Sequence, residues 1–466
     1  MRSYRLRGLL ILWITVSLLL STAFPVSALG VESAVPVATY SDVPYVNKAN
    51  AHKSQKLDLY LPSEDSYAHN DEKESETDLR PLVVRIHGGA WYGGDKELGD
   101  DAPVFAALLE QGYAVASINY RLSVEARWPA QIYDCKAAIR FLRAHAQQYG
   151  IDPTRITVFG ESAGGHLAMM LGVTNGQQDW EDLDMGNAQI SSAVQAVISV
   201  SGIADLNQWG TRTGDSLGAQ AAKDLLLGAG HDDQDEVNAS PITYVNEQTV
   251  PMLLVHGGSD DVVSYQQSEL MAEAMNTALA DNRAETWLLA KAGHMDVPMF
   301  YASDQAHRRY SAFLAKSLGL SEPLISVRRL YNPYNGLHLL TLDKDEDASL
   351  RANGWIDESS AFQALDADAV NGSPVYRLYN SFSGEHILTS NVNEYESLSR
   401  QGWFSEGVAF VAPSDGDTSV FRLFNPYSGY HMYTSDVKEY ERLGKNSWQR
   451  EGVAFMVSGL RSTTED

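Results

Sequence analysis

The chain has 466 residues, 44% of them hydrophobic, with 35 basic against 60 acidic side chains and a formal net charge of −25. That length predicts more than one domain, and the hydrophobic share is enough for a sizeable core. The charge argues against nucleic acid and anionic membrane as electrostatic partners and predicts a soluble, self-repelling surface.

Arg2, Arg5 and Arg7 precede an apolar run from Leu9 to Leu20, and Val26-Ser27-Ala28 offers a small-residue cleavage site. This layout predicts a secretory signal peptide over residues 1–28 rather than an anchor, because twelve apolar residues are short for a span. Its removal would take three arginines and no acid, so the mature charge becomes −25 − 3 = −28. No second stretch reads as a membrane span. Cys135 has no partner in the chain for an intramolecular disulfide, which suits a bacterial export route and a secreted or cell-surface location. It sits among Ile132, Ile139 and Leu142 at helical spacing and reads as a core thiol.

From about Tyr40 to Leu318, short apolar runs alternate with amphipathic stretches. The predicted strands are Leu82–Ile86, Ala114–Ile118, Ile156–Phe159, Ala196–Ser201, Met252–His256 and Thr286–Leu289. The predicted helices are Val104–Gln111, Ala130–Tyr149, Glu161–Leu171, Ser268–Leu279 and Asp304–Leu318. This alternation predicts an α/β fold, a mostly parallel sheet covered on both faces, with its site beyond the carboxyl ends of the strands. Two polar stretches, Ser63–Asp78 and His231–Glu236, cluster acids without metal-ligand spacing and read as solvated loops. The segment Ile203–Val245, between two strands, is expected to cap the site.

The tail changes style. "RLYNPYNGLHLLT" begins at Arg329, "RLYNSFSGEHILT" at Arg377 and "RLFNPYSGYHMYT" at Arg422. Each copy continues into an acidic helix-like stretch, then a tryptophan (Trp355, Trp403, Trp448), then an Ala-Phe pair. Three such copies predict a β-rich threefold-repeat module, for which a β-trefoil-like arrangement fits the count. His338, His386 and His431 recur with the copies and read as structural. The repeated Tyr, Trp and His either stack on sugars or fill the core of each copy, and the core reading is preferred.

The chemistry concentrates around Gly160-Glu161-Ser162-Ala163-Gly164, a G-x-S-x-G between a predicted strand and a predicted helix. A sharp turn there lifts a nucleophilic hydroxyl clear of the sheet, and the helix N-terminus behind it supplies N–H groups. The bland reading of Ser162 is a helix N-cap. Three further stretches favour the nucleophile. His87-Gly88-Gly89-Ala90-Trp91 follows a strand and can aim N–H groups at an oxyanion, together with the N–H of Ala163. Asp260 follows the strand Met252–His256, with Asp261 as its rival. His294 lies in a loop past the last strand, in competition with His87, His166 and His256. The first and last of these read as braces of their own loops, and His166 as buried against the sheet. The chain order Ser162, Asp260, His294 is that of α/β-hydrolase triads.

These motifs, with "SINYRLSVEARWPAQIYDCKAAIRFL", "IDPTRITVFGESAGGHLA" and "ASPITYV", resemble secreted α/β-hydrolases of the esterase/lipase branch, the hormone-sensitive-lipase-like, acetyl-xylan and feruloyl esterases. The resemblance covers residues 40–318. It implies a nucleophile at Ser162, an acid at Asp260, a base at His294, and an oxyanion hole from Gly88, Gly89, Ala90 and Ala163, with no cofactor and no metal. One departure is Ala90-Trp91, where many lipase-like members have a third glycine; the H-G-G-x-W form also resembles kynurenine formamidases. The tail resembles a repeat at the ends of secreted bacterial hydrolases and cell-wall enzymes, which implies attachment or glycan binding through residues 327–466. The expected organisation is therefore a leader over 1–28, a catalytic domain over 29–322 and a repeat module over 323–466. The expected function is a secreted serine carboxylic ester hydrolase acting on carbohydrate or plant-derived esters. An aryl formamidase or peptidase of the same fold, or a binding protein on a hydrolase scaffold, is the alternative.

Overall fold

The structure, a computed structural model, describes residues 35–49, 51–63, 79–211, 218–320, 322, 324–367, 369 and 372–460. The predicted leader and the stretch 64–78 of the predicted loop lie outside them.

Eight strands form one sheet: β1 (Tyr40–Pro44), β2 (Lys56–Tyr60), β3 (Arg80–Ile86), β4 (Ala114–Ile118), β5 (Ile151–Glu161), β6 (Ala196–Val200), β7 (Met252–Gly257) and β8 (Ala284–Leu289). Their order is β1-β2-β4-β3-β5-β6-β7-β8. The pairings from β4 through β8 are parallel, and β1–β2 and β2–β4 are antiparallel. The mostly parallel expectation therefore holds from β4 to β8, while the antiparallel strands sit at one edge. The helices are α1 (Ala102–Glu110), α2 (Ala130–Ala144), α3 (Ala146–Tyr149), α4 (Ala163–Val173), α5 (Ala219–Leu227), α6 (Asp233–Asn238), α7 (Gln266–Ala278), α8 (Val297–Phe300) and α9 (Asp304–Leu318). The single predicted helix over Ala130–Tyr149 is two, interrupted at His145.

The sheet separates two cores because successive side chains of a strand point to opposite faces. Leu82, Val84 and Ile86 of β3 join α2 and α4 on one side, and Val83 joins α1 and α9 on the other. Every residue of α4 is buried, as its run of small and apolar side chains, broken only by His166, favours. Burial pushes the Cys135 thiol well up, consistent with a core residue.

Strand order reverses between β3, which neighbours β4 on one side, and β5, which continues toward β6 on the other. This switch point opens a crevice at the carboxyl ends of adjacent strands. The Gly88–Ala90 turn leaves β3 there, and Ser162 leaves β5. β7 and β8 are also neighbours, so the loops carrying Asp260 and His294 lie side by side.

Residues 325–457 form three separate antiparallel sheets. Their central strands are β9 (Ile325–Tyr331), β12 (Gly372–Tyr379) and β15 (Thr418–Phe424). Each is flanked by a short strand, β10 (His338–Thr341), β13 (His386–Thr389) or β16 (His431–Thr434), and a long one, β11 (Ile356–Ala364), β14 (Phe404–Pro413) or β17 (Gln449–Val457). Between short and long strands lie α10 (Lys344–Ala352), α11 (Val392–Arg400) and α12 (Val437–Gly444). Registers correspond: Tyr331 faces His338, Tyr379 faces His386 and Phe424 faces His431. Phe362, Phe410 and Phe455 meet edge-on, with ring centroids 5.7, 6.1 and 5.5 Å apart, in one core with Val327, Val375 and Val420.

Ion pairs link these sheets in order. Arg377 reaches Glu346 of α10 (2.8 Å), Arg422 reaches Glu394 of α11 (3.0 Å), and Arg329 reaches Glu439 of α12 (2.8 Å). Each arginine also holds a carboxylate of its own long strand: Glu358, Glu406 or Glu451. Among the described residues no helix is long and apolar enough to cross a membrane.

Candidate active site

The turn that carries Ser162 is strained. Its φ of 52° and ψ of −117° lie where a residue with a Cβ is rarely found. Close backbone approach explains the flanking glycines. A Cβ on Gly160 would lie 2.1 Å from the Gly164 carbonyl oxygen, and one on Gly164 would lie 2.0 Å from that of Ile86. The chain holds this shape through Ser162 N–H donating to Val200 O (2.8 Å) on β6, and through the buried helix α4 behind it.

Ser162 Oγ lies 3.1 Å from His294 Nε2, and His294 Nδ1 lies 2.7 Å from Asp260 Oδ2. The carboxylate can only accept, so Nδ1 carries the proton toward it and Nε2 is left to accept from the serine hydroxyl. Asp260 is further held by the N–H groups of Val262 and Val263, each 2.9 Å from Oδ1. Burial alone would raise its pKa. Hydrogen bonds from His256 and His294 and the charge of His294 outweigh that and hold the carboxyl well below the usual carboxylate range. The rival Asp261 is exposed and does not meet His294.

The turn after β3 also lies against Ser162: a Cβ on Gly88 would be 3.3 Å from Ser162 Cβ. Gly89, Ala90 and Trp91 follow one another at positive φ (103°, 50° and 61°), which curls the chain toward the serine. The Gly88 N–H is directed at Glu161 Oε1 (3.4 Å), so it is not free to face an oxyanion. Among the described residues no such acceptor faces the N–H groups of Gly89, Ala90 and Ala163, which leaves these three as the better-placed candidate donors. The cause is Glu161, a buried carboxyl that also accepts from the Tyr301 hydroxyl (3.0 Å). Burial, and then Asp101, raise its pKa against the opposing effect of Arg85, itself bonded to Asp101.

The other histidines have structural partners. His87 stacks on Tyr120 and bonds Gly88 O (2.8 Å), and burial lowers its pKa to about 4. His256 bonds Ser268 Oγ (2.8 Å) and Val263 O (2.9 Å), which braces its loop as expected, and also approaches Asp260 Oδ2 at 3.3 Å. That last contact was not read from the sequence; the signal was the four-residue spacing inside "HGGSD". His166 is buried, with a pKa lowered to about 4, but its hydrogen bonds are not to the sheet. Trp91 Nε1 donates to its Nδ1 (3.2 Å), and its Nε2 donates to Ala239 O (2.8 Å), so it ties the Gly88–Trp91 turn to the 203–245 segment. Within that segment Trp209 packs edge-on against Trp91 and donates to Val262 O (3.1 Å), and Leu226 is buried. Among the described residues no cluster of three His, Cys, Asp or Glu side chains is placed to hold a metal ion.

Parts of the chain are similar to known proteins. Residues 57–275 match the BD-FAE family model, and residues 326–458 match a domain of unknown function, DUF5648. A truncated carbohydrate esterase from gut microbiota superimposes with a TM-score of 0.51 at 28% identity, covering 61% of this chain and 98% of that one. The large sheet and its helices are an α/β-hydrolase fold. The hydrolase-fold region is also 32% identical over 197 residues to the probable carboxylic ester hydrolase LipM of Mycobacterium tuberculosis, covering 41% of this chain and 44% of that protein. Over 229 residues it is 32% identical to esterase LipC of the same organism, covering 48% and 54%. The chain thus spans about half the length of the curated relatives it matches.

Proposed function

We propose that the protein is a serine carboxylic ester hydrolase with Ser162 as nucleophile, His294 as general base and Asp260 as the acid that orients it. The observation that carries this reading is the pair of contacts from Ser162 Oγ to His294 Nε2 and from His294 Nδ1 to Asp260 Oδ2. His294 takes the hydroxyl proton as Ser162 attacks the acyl carbonyl carbon. The N–H groups of Gly89, Ala90 and Ala163 receive the developing oxyanion. Collapse expels the alcohol, to which His294 returns the proton. Water, activated by the same histidine, then releases the acid and restores Ser162. Asp260 stays ionised throughout and stabilises the imidazolium.

The similarity to named esterases supports ester hydrolysis, and the similarity to a carbohydrate esterase supports an ester of carbohydrate as the substrate class, for which acetyl and feruloyl are our candidate acyl groups from the motif resemblance. The 203–245 segment, tied to the Gly88–Trp91 turn through His166 and Trp209, caps the site. The leader-like start supports export and a secreted or cell-surface location. We read residues 323–466 as one three-repeat module, whose units are disposed in a ring by the cyclic Arg–Glu pairs, with attachment to glycan as its role. The test is acid release by wild type and Ser162→Ala on acetylated xylan, feruloylated arabinoxylan, p-nitrophenyl acetate and N-formylkynurenine. Ser162-dependent release from the esters is the expected result. Release from the formamide alone would make the protein a formamidase, and equal rates for both proteins on every substrate would end the catalytic reading.

A further inference from the structure

The three sheets of the tail use nearly all their aromatic rings internally. Tyr331, Tyr379 and Phe424 pack on His338, His386 and His431. Tyr376 stacks on Tyr395, and Phe421 on Tyr440. One ring in every copy is largely exposed, and the second copy exposes Phe404 (67%) as well. Tyr334, Phe382 and Tyr427, at the same position of "NPYNG", "NSFSG" and "NPYSG", are 85%, 97% and 84% exposed. Chance exposure of single aromatics is ordinary, but the same exposure at three corresponding turns is not.

Each ring is displayed on a preset backbone. The side chains of Asn332, Asn380 and Asn425 accept from the N–H of Tyr334 (2.9 Å), Phe382 (2.9 Å) and Tyr427 (3.0 Å), fixing the same Asx turn three times. The turns gather at one end. Tyr430 donates to Ser383 O (3.4 Å), joining the third turn to the second, and a Cβ on Gly384 would lie 3.6 Å from Leu337, joining the second to the first.

Charge selects the partner. In a chain with 20% charged residues and a net charge of −25, none of the three five-residue turns carries a charged side chain; they offer Asn, Ser and Tyr hydroxyl and amide groups beside each ring. A polyanion would be repelled by the surrounding protein. An uncharged polysaccharide presents repeated apolar sugar faces edged by hydroxyls, and suits separate flat rings with nearby hydrogen-bonding groups.

We propose that Tyr334, Phe382 and Tyr427 are a three-point platform that stacks on the sugar rings of an uncharged polysaccharide. The proposal rests on the reading of the tail as a glycan-binding module and gives that reading its residues. Three weak contacts on one rigid body act together, because after the first binds the others do so at high effective concentration.

The experiment is affinity electrophoresis of the full chain in gels containing xylan, β-glucan, mannan or starch, with pectate as the anionic comparison. Tyr334→Ala, Phe382→Ala, Tyr427→Ala and the triple variant are run beside wild type, and p-nitrophenyl acetate hydrolysis serves as the control of the remote site. The expected result is retardation of wild type by at least one neutral polymer, about five-fold weaker affinity per single change and none measurable for the triple. Hydrolysis of the small ester should be unchanged. Equal retardation of wild type and triple variant would overturn the role of these rings while leaving the tail a glycan binder. No retardation of wild type in any neutral gel would overturn both. Self-association of wild type that the triple variant abolishes would instead make the platform a contact between copies.

Discussion

Gly164→Ala tests the link between backbone packing and catalysis. The new methyl would lie 2.0 Å from Ile86 O and 2.6 Å from His87 O, whereas ordinary contact begins at 3.4 Å. About 1.4 Å of movement is therefore needed, and neither side is soft. Ile86 is paired in parallel to both β4 and β5, and α4 is buried on all sides. Overpacking of this kind costs about 1–3 kcal/mol of stability. The displaced parts carry the Ala163 N–H on one side and the Gly88–Ala90 turn on the other. A shift of about 1 Å there is expected to lower turnover by about 10²-fold. Gly99→Ala is the matched control, since nothing lies within 4 Å of its Cβ position. Thermal unfolding and kcat on p-nitrophenyl acetate are measured for all three proteins. A Gly164→Ala enzyme with kcat within two-fold of wild type would refute the claim that this close approach positions the site.

Other outcomes follow from the same geometry. Asp260→Asn removes the acceptor that fixes the His294 tautomer, and kcat should fall by about 10⁴-fold with the fold retained, read by ester kinetics and circular dichroism. His256→Ala should reduce kcat by about ten-fold through loss of the Asp260 contact, with KM nearly unchanged; an effect on KM alone would remove His256 from any positioning role. Burial holds His87 and His166 at a pKa of about 4, below the ordinary 6.5, so between those values the unfolded chain binds protons that the folded chain does not. Stability should therefore fall as pH drops from 6.5 to 4, by about 2.5 × 1.36, or about 3 kcal/mol, for each. Urea unfolding of wild type and His166→Gln across that range checks it, and parallel curves would contradict it. Phe410→Ala should cost about 3–5 kcal/mol in the tail, seen as a lower unfolding transition with ester hydrolysis at 25 °C unchanged.

The parallel strands β3 to β7 were legible because they are buried on both faces and read as nearly continuous apolar runs, as at Ala114–Ile118 and Ala196–Val200, each broken only by one serine. β1 was not, because Tyr40–Pro44 is an edge strand with mostly exposed side chains and no apolar pattern to betray it. That Ser162, Asp260 and His294 meet follows from their turns, because each comes just after a strand end, where the chain must reverse within a few residues. The Gly88 N–H could not be judged that way. Its partner Glu161 is adjacent to Ser162 in sequence, yet only the pairing of β3 with β5 brings that carboxylate beneath the Gly88 turn. His166 misled for a similar reason: a buried helical position says that a side chain is enclosed, but not by what.

The Arg–Glu pairs of the tail run from the second unit to the first, from the third to the second, and from the first to the third. Such a series has no terminal member, unlike an open stack of repeats, whose end units need special polar caps. Gln363, near the end of the first unit, bonds Ser458 at the close of the last, so the chain leaves the module beside the point where its first sheet is completed. Loss of any one of Arg329, Arg377 or Arg422 would therefore open the series at one point and leave Glu439, Glu346 or Glu394 of a neighbouring helix without that partner.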